Sequence, residues 1–402
     1  LPETPEVPES PETPEDPEKP EQPEQPETSE QPEQPEQPEG EEQTSAPQLA
    51  PQSAAIAVQA LSGSGTAEEP YLITSAEDFA EMPSSNSGKY FKLTKDIEVN
   101  APYKSTFSGI FDGDGHTIAF NYTGTSNENV GLFSQTGSSA TIQNLTVNAN
   151  LKSVTASNSY GTGGFIGQVN GPTTIRNCGV SGTITNTNTD TRYPARVGGF
   201  VGYLYDNLTI ESSFCTANIK SESTYSLSAA GGLVGGMSYS AYSITATDCY
   251  VTGDVSAKNY AGGFIGYLNS SSGKPHTYTN CYTAGTVTGG SSKAYGFAYV
   301  SNGSYATFEN CYFNSTSNAK ANNSTIKGTI TGKTTADLKD LAHTLGDAFQ
   351  EDKTSLNNGY PILNWQYVDP SATPTVTVTV VPADAKLVWD GAEQIGGVNG
   401  VY

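Results

Sequence analysis

An internal repeat of 30 to 36 residues is the feature that most constrains how this chain can fold. Each repeat is too short and too polar to bury a hydrophobic face by itself, so successive repeats must stack and share one core. Periods of this length are typical of solenoids. The sequence therefore predicts a solenoid of about seven coils between residues 65 and 368.

The first half of each repeat is a strand-like segment that ends in a short polar residue. It reads TIRNC, TATDC, TYTNC or a variant of these, beginning at Thr141, Thr174, Thr209, Thr245, Thr277 and Thr307. Its fourth position is occupied by Asn144, Asn177, Ser212, Asp248, Asn280 and Asn310. Because these residue types tolerate left-handed backbone geometry, we expect the chain to bend there into the next face of the coil.

The second half of each repeat has the pattern GG(F/L)(I/V)G. Its third position holds Leu132, Phe165, Phe200, Leu233, Phe264 and Phe297, which we predict to form an inward stack. Parallel strands in register place like residues roughly 4.8 Å apart, which explains why identity recurs by column. The fold class predicted is all-β, a right-handed parallel β-helix.

These motifs resemble the GLUG-motif family of bacterial surface proteins, in which GG(F/L)(I/V)G recurs beside an NC-containing segment. The resemblance covers roughly residues 67 to 366, including GSGTAEEPYLI from Gly63, FSGIFDGDGHTI from Phe107 and NNGYPILNW from Asn357. It implies a secreted, wall-associated protein. Similar repeats also accompany the catalytic domain of IgA-specific metallopeptidases without carrying out the chemistry.

The regions outside the repeats predict two further segments and two helical caps. Proline and glutamate each recur at every third position near the start, so residues 1–64 are predicted to be a disordered acidic stalk, extended as polyproline II. Residues 369–402 resemble the first strands of an immunoglobulin-like module. Short helices are expected near Phe79 and over residues 335–345, the latter closing the open end of the solenoid.

The charge distribution argues against two classes of partner. The net charge is -23, and 16 of the acidic residues lie in residues 1–45 against one Lys. Such a field repels nucleic acid and anionic membranes. No stretch approaches the roughly 20 apolar residues of a membrane span. We therefore expect neither nucleic-acid binding nor membrane insertion of this segment.

Few residues are candidates for chemistry. The three histidines lie in different contexts without an HExxH sequence, so we predict no metal and no cofactor. The cysteines follow the repeat, which favours buried free thiols over a bridge such as Cys281 to Cys311. Asp112 and Asp114 in FDGDG could be paired carboxylates or calcium ligands, but the glycines between and after them favour a tight turn.

Strand alternation predicts a binding surface in the second half of the repeat. If the Phe165 column points inward, its neighbours point outward as an apolar and tyrosine strip, unless a loop or another module covers them. The strip comprises Ile166, Val201, Tyr203, Val234, Ile265 and Tyr267. The loops over residues 186–197 and 221–229 offer a second contact surface.

The sequence thus predicts a non-catalytic module for adhesion or display at the bacterial cell surface or cell wall. We expect a monomer that binds a host or bacterial surface protein or glycan. Two alternatives remain: an accessory region of an IgA-type metallopeptidase, and a carbohydrate-active β-helix. The latter requires Asp112, Asp114 and a further acidic group to converge in one groove.

Overall fold

The computed structural model describes residues 61–367, apart from residues 126–127, 155–159, 189–191, 238–240 and 291–292. The stalk predicted for residues 1–64 lies almost wholly outside the described residues, and the immunoglobulin-like module predicted for 369–402 lies entirely outside them. The described part is an all-β parallel solenoid of about six turns, which confirms the predicted fold class.

Sheet 1 runs the length of the solenoid and contains 19 strands, because it holds the strands on both sides of the polar bend. The strands before the bend, or continuous through it, are β1 (Tyr71–Ile73), β2 (Tyr90–Leu93), β5 (Ile110–Asp112), β8 (Ala140–Gln143), β12 (Thr173–Arg176), β16 (Leu208–Glu211), β21 (Ile244–Thr247), β26 (His276–Thr283) and β30 (Ala306–Asn314). The strands after it are β3 (Ile97–Val99), β6 (Thr117–Thr123), β9 (Thr146–Ser153), β13 (Gly179–Asn186), β17 (Phe214–Cys215), β18 (Asn218–Ser221), β22 (Tyr250–Val251), β23 (Val255–Ala257) and β27 (Val287–Thr288). The last strand, β31 (Lys327–Lys333), pairs with β30 on both sides of the bend.

Two further parallel sheets complete each coil. Sheet 2 contains β4 (Tyr103–Phe107), β7 (Phe133–Thr136), β11 (Ile166–Val169), β15 (Val201–Leu204), β20 (Val234–Gly236), β25 (Ile265–Leu268) and β29 (Ala298–Val300). Sheet 3 contains β10 (Thr162–Gly163), β14 (Arg196–Gly198), β19 (Ala229–Gly231), β24 (Tyr260–Gly262) and β28 (Ala294–Tyr295). A separate antiparallel pair joins β32 (Phe349–Gln350) to β33 (Ile362–Leu363).

The strand register stacks the repeats as the sequence predicts. Thr174 pairs with Thr141 on one side and with Thr209 on the other. The rings of Phe165 and Phe200 lie 5.0 Å apart and nearly parallel, and the whole phenylalanine and leucine column is fully buried. The core is therefore built from identical positions of successive coils.

Glycine allows the chain to reverse between sheets 3 and 2. A Cβ atom on Gly202 of sheet 2 would lie 2.2 Å from the backbone nitrogen of Thr162 in sheet 3, and one on Gly235 would lie 2.4 Å from that of Val197. The two sheets therefore pack backbone against backbone, a separation that no side chain permits. This contact is the physical reason for the glycines of the repeat motif.

The helices are short and lie at the two ends of the described sequence. Helix α1 (Ala76–Ala80) is capped by Ser75, and its Phe79 packs against Tyr103, Phe111 and Phe133 at the first coils. This arrangement agrees with the helix expected there. Helices α2 (Thr335–Lys339) and α3 (Ala342–Leu345) follow the last coil strand, and two 3-10 turns span Gly303–Tyr305 and Asn364–Gln366.

The helical segment expected at residues 335–345 is present as α2 and α3, and α2 contacts β30 and β31 of the last coils. Residues 334–367, here called the strap, place Leu338, Leu341 and Leu345 in a second hydrophobic cluster against four successive coils. The strap therefore lies along the flank of the solenoid. The reason is a row of aromatic residues on that flank, described below.

Candidate functional site

A ladder of polar side chains follows the bend in sheet 1. The bend residues all have φ between 44° and 55°: Asn144, Asn177, Ser212, Asp248, Asn280 and Asn310. Asparagine and aspartate accept this left-handed geometry better than other residues with side chains, which explains the composition of the column. This is the bend that the sequence predicts at these positions.

Side chains of this column, here called the asparagine ladder, form hydrogen bonds from one coil to the next. The amide of Asn177 donates to the side-chain oxygen of Asn144 at 3.2 Å, and the amide of Asn144 donates to Asp112 at 3.0 Å. Further along, Asn310 donates to Asn280 at 2.8 Å, and Asn280 donates to Asp248 at 2.8 Å. Ser212 separates the two runs because serine has no side-chain amide to donate a hydrogen bond to the preceding coil.

Asp112 and Asp114 lie in a tight turn at the start of the ladder. The carboxylate of Asp112 accepts hydrogen bonds from the backbone of Asp114, from Gln143 and from Asn144. Asp114 has φ 51° and pairs with Lys92 at 3.0 Å. The geometry supports the turn favoured from the sequence, and Asp112 acts as the acceptor that begins the ladder.

A second column lies two residues after the ladder, on the outer face of sheet 1. We call it the flank column, and it contains Thr117, Thr146, Gly179, Phe214, Tyr250, Tyr282 and Tyr312. The rings of Phe214, Tyr250 and Tyr282 stack in sequence with centres 5.4 Å and 5.2 Å apart. Aromatic stacking of this kind buries a large apolar area and favours a covering segment.

The strap covers the aromatic part of the flank column through specific hydrogen bonds. The hydroxyl of Tyr282 donates to the carbonyl of Pro361 and accepts from the Asn357 amide at 2.9 Å. The hydroxyl of Tyr250 bonds to the side chain of Gln366. Burial raises the pKa of both phenols, so both remain protonated donors at physiological pH.

A loop of the strap is organised by one carboxylate. Asp352 accepts hydrogen bonds from four backbone N–H groups, including Asn357 at 2.7 Å and Gly359 at 2.9 Å. Partial burial raises the pKa of this carboxyl, but the backbone hydrogen bonds outweigh burial and hold the pKa below its usual value. The loop thereby presents Asn357 to Tyr282.

Trp365 marks the boundary between the covered and open parts of the flank column. Its indole nitrogen donates to the carbonyl of Ser212 at 2.8 Å, and its ring packs on Phe214 with centres 5.6 Å apart. The side chain is half-buried. Both contacts fix the orientation of the indole at the point where the ladder is interrupted.

Next to Trp365 is a cleft of about 290 Å³ that forms the candidate site. It lies over the open part of the flank column and along the first run of the ladder. It is lined by Asp114, Gly115, Asn144, Thr146, Asn177 and Trp365. The cleft therefore combines two amides, a hydroxyl, a carboxylate and an indole, a set suited to recognition of a polar ligand.

The residues predicted from strand alternation do not form an exposed strip. Ile166, Val201, Val234 and Ile265 are buried in the main core, and Tyr203 is also buried. The expectation of exposure was wrong because the chain reverses at the two glycines before the Phe165 column, and alternation does not continue through a reversal. Both Phe165 and Ile166 consequently face the interior.

Tyr267 is the member of the predicted strip that remains half-buried. Its ring stacks on Tyr299 at 5.1 Å, and the guanidinium of buried Arg196 lies 5.1 Å from its centre. Burial lowers the pKa of Arg196, while nearby tyrosines including Tyr203 oppose this effect. The structure brings Tyr203 and Tyr267 together around Arg196, and none of the six predicted residues lines the cleft.

The cysteines are buried free thiols, as favoured from the sequence. Cys281 and Cys311 are partners in the strand register and remain unbridged. Burial raises the pKa of Cys178 and of Cys215 to about 12, so these thiols are unreactive at physiological pH. They act as small apolar side chains beside the asparagine ladder.

No group of three or more His, Cys, Asp or Glu side chains within residues 61–367, excluding the gaps, is arranged to hold a metal ion. In the same part of the chain, none of the helices has the length and apolar character needed to cross a membrane.

Comparison with known proteins gives three findings. The first is that residues 158–185 match the model of the GLUG motif, a stretch that includes the chain reversal before Ile166 and the ladder residue Asn177. The chain carries a GLUG motif. This match confirms the resemblance inferred from the repeats.

The second and third comparisons extend beyond the motif. The chain is 31% identical over 179 residues to halomucin of Haloquadratum walsbyi, covering 39% of this chain but 2% of halomucin. A Bacteroides ovatus protein described as an immunoglobulin A1 protease shares the fold, with a TM-score of 0.54 and 22% identity. That alignment covers 75% of this chain and 94% of the other. The solved structure therefore shares the solenoid fold, while the match to halomucin is a likeness of sequence over part of the chain.

The cleft was missed in the sequence because its parts are far apart in the chain. Trp365 is 153 residues from Ser212, to which it bonds. A signal was present in the aromatic residues directly after the ladder cysteines, such as Tyr250 after Cys249 and Tyr282 after Cys281. Aromatic side chains at outward positions predict a covering segment, but they do not identify it.

Proposed function

We propose that this chain is a non-catalytic binding module for adhesion or display on an extracellular bacterial surface. The observation that carries the proposal is the cleft beside Trp365, whose lining offers recognition groups on a rigid repeated scaffold. Of its lining residues, only Asp114 has a carboxylate. Glycoside hydrolysis generally requires two carboxyl groups flanking the bond, so the lining favours binding over cleavage.

Several properties support an extracellular surface location. One such property is the similarity to halomucin, whose name places it among mucins. The acidic net charge of -23 and the mean hydropathy of -0.43 are suited to a hydrated surface protein. The partner proposed is a protein or glycan of a host or neighbouring bacterial surface, and the chain is proposed to act as a monomer.

A second candidate function follows from the structural likeness to the protein described as an immunoglobulin A1 protease. In that case the solenoid would be an accessory region that positions a protease domain on its substrate. The two candidates share a binding role and differ in whether the bound molecule is cut.

The test uses the complete 402-residue chain, fluorescently labelled, on mucin-coated and immunoglobulin-A-coated surfaces. We expect saturable binding to mucin without release of any fragment. Binding to neither surface, nor to intact bacterial or epithelial cells, would contradict the proposal. Steady release of sugar or peptide products that survives repurification would show that the chain is an enzyme. Heat-denatured chain provides the control for nonspecific attachment.

A further inference from the structure

We infer that the cleft binds a neutral carbohydrate, with a sugar ring packed against Trp365 and its hydroxyl groups bonded to Asn144, Thr146 and Asn177. This inference rests on the proposed binding function and specifies its ligand. It follows from the fixed indole, the unused hydrogen-bonding capacity of the ladder and the charge of the cleft rim.

The indole is held ready for stacking. The hydrogen bond to Ser212 and the contact with Phe214 fix Trp365 before any ligand binds. The remaining surface of the half-buried ring lines the cleft. A fixed aromatic ring offers apolar contact area at low cost in conformational entropy, which suits the C–H face of a sugar ring.

The first run of the ladder has bonding capacity left for a ligand. A side-chain amide has two donor hydrogens and an oxygen that accepts two hydrogen bonds. The amide of Asn177 donates to Asn144, and among the described residues no side-chain amide donates to the oxygen of Asn177, because Ser212 follows it in the ladder. Successive coils repeat this amide at roughly 4.8 Å, a spacing that suits a row of sugar hydroxyls.

The charge at the rim favours a neutral ligand. The carboxylate of Asp114 is paired with the ammonium of Lys92 at 3.0 Å, so the cleft presents nearly balanced charge. None of the lining residues is cationic, so the cleft offers no charged partner for a sulfate group or a sialic acid carboxylate. A volume of about 290 Å³ is near the lower end of small-molecule sites, so one ring fits inside while a chain extends through the open side.

The experiment reads ligand binding at Trp365 alone. The chain contains two tryptophans, and Trp389→Phe leaves Trp365 as the single indole reporter. The full chain with this substitution is titrated with neutral xylo-, cello-, malto- and manno-oligosaccharides and with a sialylated oligosaccharide of similar length. We expect a saturable change of emission with at least one neutral oligosaccharide and none with the sialylated one.

A matched pair of variants then places the ligand in the cleft. Thr146→Val removes the hydroxyl from the cleft but keeps the β-branched shape, and should weaken binding about tenfold through loss of one hydrogen bond. Thr174→Val makes the same change on the outer face of sheet 1, at a position that does not line the cleft, and should leave the affinity unchanged. Equal affinities for the two variants would overturn the inference.

The remaining outcomes separate this inference from the proposed function. Binding to mucin-coated surfaces that persists while Trp365 reports no neutral oligosaccharide refutes the carbohydrate cleft and leaves the adhesion module standing. A response to the sialylated oligosaccharide alone also refutes it, because the ligand would then be anionic. Failure of both the surface assay and the titration refutes the two proposals together.

Discussion

The two halves of the flank column differ although they occupy the same position in successive coils. In the later coils the column is Phe214, Tyr250, Tyr282 and Tyr312, and the strap covers it. In the earlier coils it is Thr117, Thr146 and Gly179, and the cleft lies beside it. A solenoid repeats its backbone, so a change of side chain in one column is enough to convert a docking surface into an open site.

Gly179 and Phe214 form the boundary between the open and covered halves of the flank column. Gly179 has no side chain, and a Cβ atom there would lie 2.3 Å from the ring of Phe214. The Phe214 ring therefore extends over the empty glycine position and supports Trp365. The last aromatic residue of the covered half consequently shapes the edge of the cleft in the open half.

The largest expected effect comes from breaking the covered half. Tyr282→Ala removes a fully buried ring and two hydrogen bonds to the strap, and should cost about 4 kcal/mol of unfolding free energy. Urea denaturation measures this loss, and hydrogen exchange should show that the strap loses protection first. Tyr282→Phe keeps the ring and should cost about 1 to 2 kcal/mol. Losses of equal size in the two variants would contradict a dominant role for stacking.

A smaller loss of unfolding free energy is expected at acid pH. It tests the solenoid and not the strap, because the titrating group, His276, lies in a solenoid strand. The imidazole of His276 accepts a hydrogen bond from the backbone of Ile244 at 3.0 Å, and burial lowers its pKa to about 4, against a smaller opposing effect from the backbone of Asn269. Because the unfolded chain binds this proton near pH 6.5, stability is complete above that pH and is lost as the pH falls towards 4, by about 3 kcal/mol.

His276→Asn is the control for the acid effect, since its side-chain oxygen can accept the same backbone hydrogen bond without titrating. Its unfolding free energy should change less between pH 7 and pH 4 than that of the natural chain. An unchanged pH dependence in this variant would show that other groups control acid stability. Circular dichroism at several urea concentrations provides the measurement.

The smallest effect is expected at the boundary between the covered and open halves of the flank column. Gly179→Ala forces Phe214 to move, and should cost about 2 kcal/mol and alter the emission of Trp365 in the Trp389→Phe background. Gly273→Ala is the matched control, because a Cβ atom there meets nothing within 4 Å and should change stability by less than about 0.5 kcal/mol. An unaltered Trp365 emission spectrum in Gly179→Ala would show that the position of Phe214 does not control Trp365, and would contradict the proposed link between the two halves of the flank column.

The sequence predicted those parts of the fold that depend on neighbours one repeat apart. The stack of Phe165 on Phe200 and the bends at Asn144 and Asn177 followed directly from recurring identity in each column. The reversal at the glycines could not be predicted from alternation, because its direction depends on how closely sheets 2 and 3 approach. The predicted strip at Ile166 was therefore placed on the wrong side.

By itself the sequence determined that the chain stacks, which residues share a column and which residue types sit at each bend. These properties depend only on neighbours one repeat away, since each column residue contacts its counterpart in the next coil. Only the tertiary structure decided that the strap lies along the flank and that Trp365 meets Ser212 and Phe214 beside the ladder. Those contacts join segments about 150 residues apart, and they depend on which surface is left uncovered once the coils have formed.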